Sequence, residues 1–206
     1  MKKLAIVMFL FVLPSCALDV YQEEFDKLDH DEQSITISVH DASHCVVGVA
    51  AESIATGEIV SQEKASEARC FKNFSEAVEF ATRGRVQLPR GAVPEDVDDE
   101  LLNGGDIGIE ATYVIGIEYQ HSNFGGATLT FTSSVTCYGY THSYSNLSYL
   151  SGWNDTISSA RAYSGCTHSY HYEHAYFGGA IVDCGTSCSY VGGAMNDRTS
   201  SLRWFR

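Results

Sequence analysis

The chain has 206 residues, 44% of them hydrophobic, enough to bury one or two cores. Its formal net charge of −13 argues against nucleic acid and anionic membrane surfaces as partners, because binding phosphates relies on an excess of cations. The composition is uneven: residues 1–110 hold 21 of the 26 acids, while residues 111–206 hold 17 of the 24 aromatic residues and 11 of the 18 glycines, so two parts with different physics are expected.

Lys2 and Lys3 precede an apolar run from Leu4 to Leu13, too short to span a bilayer and suited to a secretory signal over residues 1–17. Cleavage after Ala17 would free a secreted or periplasmic protein. Alternatively, Leu13-Pro14-Ser15-Cys16 resembles a bacterial lipobox, so that a lipoprotein signal over 1–15 would leave Cys16 lipidated at the cell surface. Both outcomes predict export.

Residues 18–34 are acidic with sparse apolar positions, which predicts a solvated lead segment. Ile35, Ile37 and Val39 alternate as in a strand, and Val46 to Ala50 offers a second one. Phe74, Ala77, Val78 and Ala81 share one helical face over Phe74 to Thr82, with Asn73 or Lys72 near the start and Gly84 as the stop. Pro89, Gly91, Pro94 and an acidic run then lead to Gly104-Gly105. Residues 18–105 are thus expected to be an acidic small α+β segment, or a pro-segment with its linker.

Beyond residue 110 regular helix is not expected. Ala111 to Gln120 and Ala127 to Val135 alternate as strands around a glycine turn, which predicts an antiparallel sandwich. Apart from Cys16 there are six cysteines, an even number that fits an oxidising compartment and permits 15 pairings. The favoured set is Cys45–Cys70, Cys137–Cys166 and Cys184–Cys188, since each half then closes on itself. Their spacing lacks a paired zinc-knuckle pattern.

The second half contains a repeat. Tyr119 to Ala127 and Tyr172 to Ala180 agree at six of nine positions, and each carries Tyr-x6-Gly ending at Gly126 or Gly179. Each is followed by Asn-Asp-x-x-Ser-Ser, as Asn154 to Ser159 and as Asn196 to Ser201. The first copy is longer, and the surplus is expected in a loop around Tyr138 to Leu150. Amide, carboxylate and hydroxyl groups in six residues are hard oxygen donors that suit calcium.

These paired elements resemble the βγ-crystallin family in its microbial calcium-binding form, over residues 112–206. The resemblance implies an all-β C-terminal domain, a double Greek-key βγ-crystallin-like sandwich, preceded by a small α+β segment. It further implies two calcium ions shared between the copies. Their ligands would be main-chain carbonyls of Gln120 and Glu173, side-chain oxygens of the Asn154-Asp155 and Asn196-Asp197 pairs, carbonyls of Thr156 and Arg198, and hydroxyls of Ser158 and Ser200. Only the Arg198 carbonyl is required, so its guanidinium can point to solvent, although its charge would weaken the site slightly by repulsion.

His168, His171 and His174 invite a metal reading, yet on a strand His171 faces away from the other two, so a surface or core-edge role is expected. No nucleophile elbow, zincin or P-loop motif is present, and no enzyme is expected. Two functions remain: an exported calcium-binding module with a structural or binding role, or a secreted proteinase inhibitor or toxin of the same fold, matured by removal of residues 18–105. The second would have a protein partner such as a proteinase.

Overall fold

The computed structural model describes residues 44–64, 67–104 and 112–206. The signal segment, Cys16, the acidic lead and the strand expected at Ile35 to Val39 lie outside the described residues.

Alternating apolar and polar residues build twelve strands among the described residues: β1 (His44–Gly48), β2 (Ala50–Ser53), β3 (Ile59–Ser61), β4 (Arg69–Phe71), β5 (Tyr113–Tyr119), β6 (Thr128–Ser133), β7 (Tyr140–Tyr144), β8 (Ser159–Ala162), β9 (His168–His174), β10 (Gly178–Asp183), β11 (Ser187–Cys188) and β12 (Ser201–Phe205). They form two six-stranded sheets, ordered β11-β8-β5-β6-β1-β4 and β10-β9-β12-β7-β2-β3. The first copy contributes β5, β6, β7 and β8, the second β9, β10, β11 and β12. Each copy lends its third strand to the other's sheet, β7 to the second and β11 to the first. This exchange is the double Greek-key, βγ-crystallin-like sandwich expected for residues 112–206. The Tyr138 to Leu150 region of the longer copy contains β7 and a 3₁₀ turn, Leu147–Tyr149.

Residues 44–104 do not stand beside this sandwich as a separate unit. β1 runs parallel to β6 and β2 antiparallel to β7, so one nearly continuous stretch extends both sheets. Val49, between the two strands, donates its N–H to the Thr132 carbonyl at 2.9 Å. The described residues all belong to one compact unit, Ile37–Arg206. A composition boundary misses this pairing, because strand addition is made by backbone groups that composition does not report.

The same segment supplies a helix layer. α1 (Phe74–Ala81) buries Phe74, Ala77, Val78 and Ala81, the expected face. It ends at Thr82, whose hydroxyl donates to the Val78 carbonyl at 2.8 Å, two residues before the glycine expected to stop it. α2 (Asp99–Asn103) is capped by Asp98, which accepts from the Leu101 N–H at 2.8 Å. Leu102 and the α1 face pack with Val114, Ile117, Tyr119 and Tyr163 on the outer face of the first sheet. Asn103 fastens the layer: its side chain accepts from the Val114 N–H at 2.9 Å and donates to the Val114 carbonyl at 3.2 Å. A separate core, including Phe131, Tyr144, Leu202 and Trp204, fills the space between the sheets. Gly116 belongs there by necessity, since a Cβ would lie 2.5 Å from the Trp204 Nε1.

All three favoured disulfides are formed: Cys45–Cys70, Cys137–Cys166 and Cys184–Cys188. Cys45 and Cys70 face each other directly across the β1–β4 ladder. Three disulfides fit an oxidising compartment. No helix among the described residues is long and apolar enough to cross a membrane.

Candidate functional site

The hairpins come first, because they place the carbonyls. After each tyrosine the chain folds back through two left-handed residues, Asn123 and Phe124 in one copy, Tyr176 and Phe177 in the other. Gly126 and Gly179 follow at φ +80° and +77°, where a Cβ would strike His121 at 2.6 Å or Glu173 and His174 at 2.9 Å. Glycine is therefore required on both counts. The Tyr119 and Phe124 rings meet edge to face at 5.4 Å, and Tyr172 and Phe177 at 5.5 Å.

The Asn-Asp-x-x-Ser-Ser loops dock on these hairpins. Ser158 N–H donates to the Tyr119 carbonyl and Ser200 N–H to the Tyr172 carbonyl, both at 2.9 Å. The last serine of each motif ties the turn from both sides. Ser159 Oγ donates to the His121 carbonyl at 2.6 Å and accepts from the Phe124 N–H at 3.0 Å; Ser201 Oγ donates to the His174 carbonyl at 2.7 Å and accepts from the Phe177 N–H at 3.0 Å.

The fifth-position serines then gather oxygens from both copies. Ser158 Oγ lies 2.8 Å from the Gln120 carbonyl and 3.3 Å from Asp197 Oδ1 of the other motif. Ser200 Oγ lies 3.3 Å from Asp155 Oδ1. The loops are crossed by backbone bonds as well, Asp155 N–H to the Thr199 carbonyl at 3.1 Å and Asp197 N–H to the Ile157 carbonyl at 3.2 Å. Both aspartates are left-handed, at φ 57° and 54°, a conformation that aspartate tolerates better than most side chains. Two clamps result, the first at Ser158, Gln120 and Asp197, the second at Ser200, Asp155 and the Glu173 hairpin. An open cleft of about 710 Å³ includes the first clamp together with Asp155 and Thr156.

The other expected site residues play supporting parts in this geometry. Asn154 and Asn196 donate their amides to Oδ2 of the adjacent aspartate, at 2.7 and 2.8 Å, which leaves Oδ1 turned to the serine. Thr156 turns its hydroxyl back to the Gly152 carbonyl at 2.9 Å. The Arg198 side chain is 53% exposed, and its guanidinium is ion-paired with Glu173 and donates to the Ala194 carbonyl at 3.2 Å. Ala180 N–H, bonded to the Glu173 carboxylate at 3.1 Å, holds that carboxyl below its usual pKa, and Arg198 adds to the effect.

Two arginines lie outside the six-residue motif. Arg161 sits 4.0 Å over the Phe124 ring and Arg203 3.8 Å over Phe177. Both follow Ser-Ser-x, so the repeat runs to eight positions, a signal readable in the sequence itself. The histidines divide as the strand period demands, but His171 is no surface group. It is fully buried, and its Nε2 lies 2.8 Å from Glu118 Oε2, equally buried. Counting from Tyr119 and Tyr172, Glu118 and His171 occupy the same place in the two copies, so the pair joins the sheets on the axis of the repeat.

Chemically the first clamp offers a hydroxyl, a carbonyl and a single carboxylate oxygen, and the second a hydroxyl and a single carboxylate oxygen. That is a hard, all-oxygen set fitting calcium in kind, with few charges per site. No group of three or more His, Cys, Asp and Glu that could hold a metal is found among the described residues.

No protein-family model matches the sequence, and no curated protein matches it. Among solved structures, a βγ-crystallin domain from Clostridium beijerinckii is similar at 24% identity and TM-score 0.36, covering 44% of this chain and 97% of that one. The N-terminal domain of Protein S is similar at 20% identity and TM-score 0.36, covering 44% and 94%. A βγ-crystallin from Ciona intestinalis is similar at 21% identity and TM-score 0.33, covering 42% and 94%. At these values the fold assignment rests on the strand exchange and the duplicated hairpins.

Proposed function

We propose that the chain is an exported calcium-binding module with a structural or binding role, and not an enzyme. The observation that carries this reading is the convergence of Ser158 Oγ, the Gln120 carbonyl and Asp197 Oδ1, mirrored by Ser200 Oγ and Asp155 Oδ1. Calcium would supply the positive charge that draws these oxygens together across the two copies. The carbonyls of Thr156, Arg198 and Glu173 would complete the shells with water, and the two asparagines would steer the aspartates.

With one carboxylate in each clamp, affinity falls in the range of extracellular modules, about 10⁻⁴ to 10⁻³ M. Because each ion spans loops of both copies, it binds the folded state alone; calcium at a hundred times its Kd adds about 2.7 kcal/mol per site. Export is supported by the Lys2 to Leu13 pattern and the three disulfides. The pairing of β1 with β6 and of β2 with β7 favours an intact chain over maturation by removal of residues 18–105, which would strip a strand neighbour from each sheet.

Calorimetric calcium titration of the full-length chain tests the reading, with Ser158→Arg and Ser200→Arg each expected to abolish one of two sites. Absence of both binding heat and any calcium-dependent rise in melting temperature would refute it.

A further inference from the structure

The expected ligand residues differ at two aligned positions: Gln120 and Thr156 in the first copy become Glu173 and Arg198 in the second. The hairpin side chains are held alike, Gln120 Oε1 accepting from the Ala127 N–H at 3.4 Å and Glu173 Oε2 from the Ala180 N–H at 3.1 Å. Their partners are not alike. Thr156 bonds only within its own loop, to the Gly152 and Asn154 carbonyls. Arg198 reaches across to Glu173, so the hairpin of the second copy carries a carboxylate that the first lacks, together with its counter-ion.

We infer that Arg198 is a built-in competitor cation at the clamp formed by Ser200, Asp155 and the Glu173 hairpin, lowering its calcium affinity while leaving the clamp of Ser158, Gln120 and Asp197 unaffected. The inference rests on the calcium reading above. A divalent ion near the Glu173 carbonyl is attracted by the Glu173 carboxylate and repelled by the guanidinium, and the pair nearly cancels. Removing the arginine uncovers the attraction; removing the glutamate uncovers the repulsion. A doubly charged ion at roughly twice contact distance in water has the Coulomb energy of two unit charges in contact, which corresponds to about a three- to fivefold change in Kd. Asp155 itself keeps its amide neighbour and its serine in either case.

Calcium calorimetry and the calcium-dependent shift in melting temperature are measured on the full-length natural chain, Arg198→Thr, Glu173→Gln and the double variant. The Arg198 and Glu173 side chains are partly exposed at the loop surface, so replacing them opens no core cavity. Arg198→Thr is expected to tighten one class of site about three- to fivefold and Glu173→Gln to weaken the same class by a similar factor, with the double variant restoring the natural value. Adding Ser200→Arg to Arg198→Thr is expected to delete the tightened class. If Arg198→Thr leaves both classes unchanged, or shifts both equally, the inference is wrong while the calcium reading stands. If the natural chain shows neither heat nor a melting shift with calcium, both fall together.

Discussion

The two copies share a hairpin, a loop and a stacked arginine, yet their outer faces have different fates. In the first copy Ile117, Tyr119 and Tyr163 are buried beneath α1, α2 and the chain between them. In the second, the corresponding Tyr170, Tyr172 and Phe205 form an aromatic row with His168, in which Tyr170 and Phe205 meet at 4.8 Å and His168 stacks on Phe205 at 5.0 Å. The difference shows what a duplication preserves. Positions that shape the hairpin and the clamp stay alike because backbone geometry dictates them, whereas outward positions follow whatever covers them. At one matched position the aliphatic Ile117 lies buried under the helix layer, where the second copy has the half-buried Tyr170.

The largest effect is expected where the copies meet. Replacing His171 or Glu118 singly with leucine leaves a buried, unpartnered charge or dipole and should cost about 3–5 kcal/mol in urea unfolding, while the double replacement should recover most of it. Single losses below about 1 kcal/mol would mean that the pair does not join the sheets.

Next, Ile117→Ala should cost about 3 kcal/mol under the helix layer, against about 1 kcal/mol for Tyr170→Ala on the open face. Equal costs would erase the distinction between covered and open faces.

Acid should act through the first copy's exchanged strand. Burial lowers the pKa of His142 in β7 to about 4, from an ordinary value of 6.5 when unfolded. Between those values the unfolded chain binds the extra proton, so the full contribution is present above pH 6.5 and is lost as pH falls toward 4, by about 3 kcal/mol. His142→Phe should flatten that part of the stability profile. Thr186 stands at the matching place in the second copy, in the register that aligns Ser145 with Ser189 through their bonds to Tyr176 and Asn123.

The smallest difference concerns the stacked arginines. Arg161 also donates to the Pro94 carbonyl of the covering segment at 3.4 Å, whereas Arg203 lies against Tyr172 and Phe177. Arg161→Leu should therefore cost about 1 kcal/mol and Arg203→Leu about half that, read as shifts in melting temperature.

The readable part of this molecule was what repeats or alternates. The α1 face, β5, β6 and the paired motifs stand out because period and spacing carry them. The disulfides were also legible, since the pairing that lets each half close on itself is the one formed. Three features were not. The merging of residues 44–71 with the two sheets is written in backbone pairing between β1 and β6 and between β2 and β7, which side chains barely announce. The Glu118–His171 contact needs both sheets in place before the residues are neighbours. The pairing of Arg198 with Glu173 joins a loop to a hairpin 25 positions away.

The exchange of β7 and β11 carries a consequence for ancestry and for fragments. Neither copy can complete a sheet with its own strands, so a polypeptide bearing only one of them would have to pair with an identical molecule. Severing the connection near Gly165 would then yield two pieces that find each other again, and the half-and-half inheritance of each sheet would make that reunion selective for the correct mate.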